Sequence, residues 1–358
     1  MIRSPVIPLA CAVGLALAAP AAGQEDPWLW LEEVEGERAM EWVLQENAET
    51  RAQLQALPAY RTAFDNTMEI LTSDDRIAFP AIRGEWLYNF WTDGDHPRGI
   101  YRRTTWSDYL AGDPDWETVL DVDALAREEG EAWAYRGMTC LGPEDRHCLV
   151  NLSPGGSDAV EVREFDMATK SFVPGGFRIP VSKNGVAWVD ENTVLVHHNL
   201  DSEYTTTSGY SRGAWRWRRG TPLESAELIA EAQVDDMGMF VGSQETSDGP
   251  MVTVNRLITI FETERHILED GTLHPLDIPT DANMQRVGDQ MVLQLVSDWT
   301  VGGRTYPAGS VVSTDYDEYR AGRGQVELVV EPGDRSTING ITRTRDYLLV
   351  VQLTDVQG

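Results

Sequence analysis

From residue 73 onward the sequence repeats at a coarse period, and that period constrains the fold more than any other feature. The segments RGEWLYNFWTD, EGEAWAYRGMTCL, NGVAWVDENTVLVHH, DDMGMFVGSQET, DANMQRVGDQMVLQLVS and TINGITRTRDYLLVVQL begin near residues 83, 130, 184, 235, 281 and 337, a spacing of 46 to 56 residues. Each opens on a small or polar cluster, runs into an apolar strand and turns into a second. Five of the units close on a charged or apolar outer strand: TVLDVDAL, VREFDMATKSF, AELIAEA, HILEDGTLHPLDI and QVELVVEPG. Short runs rich in Val, Leu, Tyr, Trp and Thr between Gly, Asp, Asn and Pro clusters are the signature of an all-β protein. A four-stranded unit of about 40–50 residues is the blade of a β-propeller, whereas a sandwich or single barrel needs no such regular spacing. Five units are complete from about Asp75 to Pro332, and a sixth begins near Ser336 and supplies two strands before Gly358. Propellers close as rings so that no long sheet edge stays open. The expected fold is therefore mainly β: an incomplete propeller, interrupted within a blade, with exposed edges that favour association.

Residues 24–72 have a different character and read as a helical N-terminal arm. In DPWLWLEEVEGERAMEWVLQENAET (26–50), Asp26 suits a cap and Pro27 a first helical position. Trp30, Leu31, Val34, Ala39, Trp42 and Val43 then fall on one face. The pattern continues from Gln45 to Leu57, Pro58 breaks it, and a second helix is expected over Ala59 to Leu71. Trp28, Trp30 and Trp42 carry more apolar surface than so short an element can hide, which marks a docking surface.

Ahead of the arm, residues 1–23 read as a signal peptide. Arg3 supplies the positive region, residues 6–19 the apolar core and Ala21-Ala22-Gly23 the cleavage site, so Gln24 begins the mature chain. The expected location is periplasmic or secreted. The apolar run is too short and too Pro-interrupted to span a membrane. A net charge of −29 argues against nucleic acid and anionic membrane as partners, since both call for basic surfaces. After cleavage Cys140 and Cys148 remain, flanking a turn in MTCLGPEDRHCLV. Two readings stand: a disulfide across a hairpin, which an exported protein permits, or two buried thiols. No metal site is expected there, because His147 is the only nearby nitrogen ligand.

Few residues carry a chemical signal. Gly209-Tyr210-Ser211-Arg212-Gly213 fits the G-x-S-x-G pattern of a hydrolase nucleophile elbow. The elbow needs a buried strand before it and a helix after it. Here polar DSEYTTTS precedes it and strand-like AWRWRRG follows, so Ser211 reads as a propeller residue and no catalytic residue is expected. His96, Arg98, Arg102 and Arg103 form a positive cluster that could steer a peptide carboxylate, although pairing with Asp93, Asp95 and Asp108 accounts for it more simply. His197-His198 on an apolar strand places one imidazole on each face, one buried and one exposed. The acid pairs Asp74-Asp75, Glu128-Glu129 and Asp235-Asp236 sit at unit starts, where such residues hold turns. Nothing singles out two acids for glycosidase-like chemistry. No cofactor and no metal is expected.

The N-terminal pattern Asp26-Pro27-aromatic-x-Trp30-Leu31-Glu32, then Trp42-Val43-x-Gln45-x-Asn47-x-x-Thr50, resembles the opening of the prolyl oligopeptidase family of serine peptidases. The resemblance continues through Arg83-Gly84, Tyr88-Asn89-Phe90-Trp91, His96-Pro97-Arg98-Gly99, Arg102-Arg103-Thr104-Thr105 and Trp116-Glu117-x-Val119-Leu120-Asp121. Later matches are Val162-Arg163-Glu164-Phe165-Asp166, Thr207-Ser208-Gly209-Tyr210-x-Arg212, Arg219-Gly220-Thr221-Pro222-Leu223 and Tyr306-Pro307-Ala308-Gly309-Ser310. It implies a propeller of seven four-stranded blades, of which about five and a half are encoded here. It implies that the arm (24–72) packs on an α/β-hydrolase domain and that the propeller (73–358) admits only short peptides. It implies cleavage after proline by a Ser-Asp-His triad on that domain, which these residues do not include. The expectation is thus the substrate-gating portion of an exported serine endopeptidase, inactive alone, whose partners are short proline-containing peptides once a hydrolase domain or a separate hydrolase chain is supplied. The alternatives are a stand-alone propeller that binds a peptide or protein, and a propeller hydrolase with its own acidic site.

Overall fold

In the computed structural model, residues 26–33, 36–73, 75–246, 249–344 and 347–358 are described. Residues 1–23, the expected signal peptide, lie outside them, as do Gln24, Val34 of the expected apolar face, and Asp74. The chain divides into two compact units at Leu71/Thr72.

The first unit holds a short 3-10 helix over Leu29–Glu32 and α-helices over Glu37–Gln55 and Pro58–Leu71. The N-terminal part differs from the expected α-helix. The Asp26 carboxylate accepts the Trp28 backbone N–H at 2.8 Å, and the helix it starts lasts one turn of 3-10 type. The second α-helix begins on Pro58 itself, because a proline in the first turn forfeits only an amide that has no helical partner anyway. Of the six residues expected on one apolar face, Ala39 is buried; Trp42 and Val43 are exposed.

The second unit is a series of antiparallel sheets. The first pairs Ala81–Arg83, Trp86–Trp91, Ile100–Thr105 and Glu117–Asp121. The second pairs Trp133–Cys140, His147–Pro154 and Val160–Asp166, with Ser171–Phe172 and Arg178–Ser182 both on its third strand. The third is Asn184–Asp190, Thr193–His198, Gly213–Arg218 and Glu227–Glu231. The fourth is Gly238–Thr246, Gly249–Leu257, Thr263–Glu269 and Thr272–Leu276. The fifth pairs Asn283–Val287, Gln290–Gln294, Val311–Asp315 and Glu327–Val330, with a small hairpin, Trp299–Val301 and Arg304–Tyr306, inserted after its second strand. A two-stranded sheet, Ser336–Arg343 with Leu348–Thr354, follows.

The period-2 alternation of strands explains how these sheets stack. In the second sheet, Cys148, Val150 and Leu152 face a core shared with Tyr88, Tyr101 and Leu120 of the first sheet, while Leu149 faces Trp188 and Val196 of the third. In the third sheet, Val194 and Val196 face back and Leu195 faces forward to Val252 and Val254 of the fourth. The same alternation sends Met291 and Leu293 toward the fourth sheet and Val292 toward Ile338 of the terminal hairpin. Second strands buried on both faces explain the unbroken apolar runs CLV, VLV and MVL. Each such Val or Leu contributes about 1.5–3 kcal/mol through burial.

Two features differ from the expected outer strands. The run TVLDVDAL is a strand only as far as Asp121, whose carboxylate accepts the Ala124 N–H at 2.7 Å and starts the helix Val122–Glu129. Two further short helices, Trp106–Ala111 and Tyr316–Arg320, lead into the outer strands of the first and fifth sheets. Their caps are Thr105 to the Asp108 N–H and Asp315 to the Glu318 N–H. The fragments TWSDYLAG and DYDEYRAG are therefore equivalent pieces of an internal repeat. Tyr109 and Tyr319 each donate to a backbone carbonyl of the segment entering their own sheet, Ala78 and Asp277.

Candidate functional site

The G-x-S-x-G serine has no nucleophile geometry. Ser211 is fully buried, and its hydroxyl donates to the Gly213 carbonyl at 2.8 Å. It precedes the strand Gly213–Arg218 rather than a helix, so the requirement of an exposed hydroxyl on a strand-to-helix turn fails.

The two histidines differ as strand alternation requires. His197 is buried, and its Nδ1 accepts the Val241 N–H at 3.2 Å. Burial, with the neighbouring His198, pulls its pKa down to about 3, so it is neutral at pH 7. His198 is half-buried and stacks on Trp215 at 4.4 Å with 6° between the planes. Burial lowers its pKa too, against the opposing pull of Asp201 and Glu224. Among the described residues no group of three metal-ligating side chains forms.

The positive cluster on the first sheet is resolved into separate roles, and its expected pairing with Asp108 is not formed. Arg103 instead pairs with Glu117, directly across the ladder, at 2.6 Å. Asp108 accepts the Thr105 hydroxyl at 2.7 Å, because it closes the cap of its own helix. His96 pairs with Asp93 at 3.0 Å, and Arg98 donates to the Trp133 carbonyl at 3.1 Å. Arg102 takes none of these acids: it lies 4.2 Å from the Trp91 ring centroid and 4.4 Å from that of Trp116.

Two of the acids at unit starts, Glu129 and Asp236, hold structural bonds. Glu129 accepts two N–H bonds from Arg163, at 2.6 and 2.9 Å, and the Trp133 indole N–H. Asp236 holds Arg256 at 2.7 Å and the Gln233 backbone N–H. A further acid, not singled out from the sequence, is the most buried. Glu164 receives a two-pronged bond from Arg219 at 2.8 and 3.0 Å and the Phe177 N–H at 2.9 Å, with His147 Nδ1 at 3.2 Å. It ties the second sheet to the third. Nothing in the string VREFD marks Glu164 for a role between sheets, because its partners Arg219 and Phe177 lie far off in sequence.

Cys140 and Cys148 stand directly opposite in the ladder and are bonded. In the arm, Trp30 meets Trp42 edge-on at 6.1 Å and carries Arg38 over its face at 4.0 Å, while Trp28 and Trp42 are exposed. No helix among the described residues is long and apolar enough to cross a membrane.

The family model of the prolyl oligopeptidase N-terminal β-propeller domain matches residues 19–358. An uncharacterized peptidase of Sinorhizobium fredii is 37% identical over 344 residues, covering 92% of this chain and 47% of the relative. An uncharacterized peptidase of Rickettsia prowazekii is 26% identical, covering 91% of this chain and 48% of the relative. Among solved structures, a post-proline cleaving enzyme from Rickettsia typhi superposes with a TM-score of 0.85 at 25% identity, over 91% of this chain and 50% of that one. Oligopeptidase B from Leishmania major shares the fold, with a TM-score of 0.67 at 14% identity. The chain spans about half the length of the curated relatives it matches. By the match of its family model over residues 19–358, this chain belongs to the prolyl oligopeptidase family, as its N-terminal β-propeller domain.

Proposed function

We propose that the chain is the substrate-gating portion of an exported prolyl oligopeptidase-like serine endopeptidase that cleaves short peptides after proline. The observation that carries this reading is the alignment of the whole arm and sheet region with one half of longer peptidases, among them one whose solved structure is described as post-proline cleaving. Gating is exclusion: once the ring of sheets is completed, a propeller passes a short extended peptide and turns away a folded protein. The chemistry belongs to a triad on a hydrolase domain, and the buried, carbonyl-bonded Ser211 is no substitute for it. Trp28, Trp30 and Trp42 provide the apolar surface on which that domain docks. Export is supported by the leader and by the Cys140–Cys148 bond, which persists in oxidising compartments.

The test is a chimera joining residues 26–358 to the remaining half of the Rickettsia typhi enzyme. It should cleave a short Gly-Pro-type chromogenic peptide and spare an unfolded protein substrate. A folded chimera that is inert, or that degrades both alike, overturns the reading. The 358-residue chain alone should release no chromophore, and turnover that vanishes in Ser211→Ala would restore the serine as a nucleophile. For export, mass spectrometry of the protein recovered from periplasm or medium should find Gln24 as first residue.

A further inference from the structure

The first sheet carries a cavity of about 690 Å³ whose walls include Arg76, Trp91, Asp93, Arg102, Tyr109 and Trp116. Two guanidinium groups share one indole: Arg76 lies 4.5 Å and Arg102 4.2 Å from the Trp91 ring centroid. Arg102 also lies 4.4 Å from the Trp116 centroid, and Tyr109 meets Trp116 edge-on. Stacking of this kind fixes the plane of a guanidinium and aims its N–H fork. Arg102 spends Nε on the Asn89 amide oxygen at 3.2 Å. Arg76 gives Nε to the Ser73 carbonyl and Nη2 to that of Thr92. Among the described residues neither forms an ion pair with a carboxylate, whereas Arg83 and Arg103 of the same sheet face Asp145 and Glu117. Burial works most strongly against the charge on Arg102, Asp93 offsets part of this, and the repulsion of Arg76 adds to it, so that its pKa is lowered to about 10.

The acids of the cavity make good only part of this deficit. Asp93 already accepts the Trp91 indole N–H and the backbone N–H groups of Asp95 and His96, and pairs with the His96 ring. Asp113 is exposed at the rim, where it counts against any ligand of high negative charge. What the walls fit is a single negative charge on a planar, two-oxygen group beside an apolar body. We infer that this cavity is a carboxylate-binding site: Arg102 and Arg76 grip the anion, and Trp116 and Tyr109 support the apolar group attached to it, as at the C-terminus of a short peptide. A carboxylate presents its two oxygens to a guanidinium fork in the geometry that bidentate pairing requires. The site lies within one sheet, so it holds whether or not the chain serves a peptidase.

Calorimetric titration of the full chain with N-acetyl-prolyl-phenylalanine, its C-terminal amide, acetate and inorganic phosphate tests the assignment. The peptide acid should bind at least tenfold more tightly than the amide, than acetate and than phosphate. Arg102→Gln should weaken the peptide acid at least tenfold and Arg76→Gln severalfold, with both variants keeping the parent circular dichroism. If Arg102→Gln fails to fold, Arg76→Gln, at an exposed position, decides. Equal binding of acid and amide, phosphate binding as tight as the peptide acid, unchanged binding in the folded variants, or no heat from any ligand up to about 10 mM overturns the inference.

Discussion

Two cavities of nearly equal size, about 690 and 680 Å³, open on the first and third sheets, and they are built from the same parts in opposite sense. Each has an indole on an inner strand, an aromatic ring from a neighbouring loop or helix and a charged flank. On the first sheet the ring partner is a permanent cation, Arg102 between Trp91 and Trp116. On the third it is a histidine, His198 flat on Trp215, with Asp201 and Glu224 along the wall and Tyr204 edge-on. The Arg102 cation at the first cavity therefore keeps its charge across the physiological pH range, whereas at the third the charge depends on a group whose neutral form burial already favours. The inner-strand indoles Trp91 and Trp215 are equally buried, and Trp215 belongs to the core between the second and third sheets; the first cavity adds a second indole, Trp116, that is only a half-buried wall. One cavity is a recess beside the core, and the other is a surface site whose parts are freer to change.

The largest effect expected from that contrast is in stability. Trp215→Ala removes a buried ring packed with Phe177, Trp188 and Trp217, and should cost about 3–5 kcal/mol. Trp116→Ala leaves less apolar surface unfilled and should cost about half as much or less. Urea denaturation of both variants gives the two numbers, and equal losses would break the distinction between recess and surface site.

A second, smaller effect is the pH response of the third sheet. With the folded pKa of His197 at about 3 and the unfolded value near 6.5, the unfolded chain binds the extra proton between those limits. Stability from this group is thus complete above about pH 6.5 and declines as pH falls, by about 2 kcal/mol at pH 5. His197→Gln should be less stable at pH 7.5 yet lose correspondingly less on acidification to pH 5. A wild-type chain as stable at pH 5 as at 7.5 would remove the premise.

Most of the sheet series was legible because a strand buried on both faces leaves an unbroken apolar run, as CLV, VLV and MVL do in the second, third and fifth sheets. The dipeptide His197-His198 is expected to place one ring inside and one outside; His197 is buried as expected, whereas His198 is half-buried against Trp215 rather than exposed. The misses come from two sources. The helices Val122–Glu129, Trp106–Ala111 and Tyr316–Arg320 follow cap residues, Asp121, Thr105 and Asp315, that a strand period overlooks, although Thr105-x-x-Asp108 and Asp315-x-x-Glu318 were readable as caps. Charge pairing was readable only where it is local, as for His96 with Asp93. Arg103 meets Glu117 through ladder register, and Glu164 meets Arg219 across sheets, so neither partner lies near in sequence. The candidate site shares that limit: Arg76, Trp91, Arg102 and Trp116 are scattered over some forty residues, and only the fold makes them one wall.

The smallest expected effect separates the supports of the two cavities. Thr105 caps the helix that carries Tyr109 into the first, and Asp201 caps the 3-10 turn that carries Tyr204 into the third, accepting the Glu203 N–H at 2.9 Å. Loss of either cap should cost about 1 kcal/mol. The charge consequences differ. Thr105→Ala removes a hydroxyl and leaves every titrating group of its cavity in place. Asp201→Ala removes one of the two acids that hold the His198 pKa up against burial, so that value should fall further. NMR titration of His198 in both variants reads this directly: a downward shift in Asp201→Ala with none in Thr105→Ala is the expected pair. An unmoved His198 in Asp201→Ala would mean that burial alone sets its titration, and the charged wall of the third cavity would lose its part in the contrast.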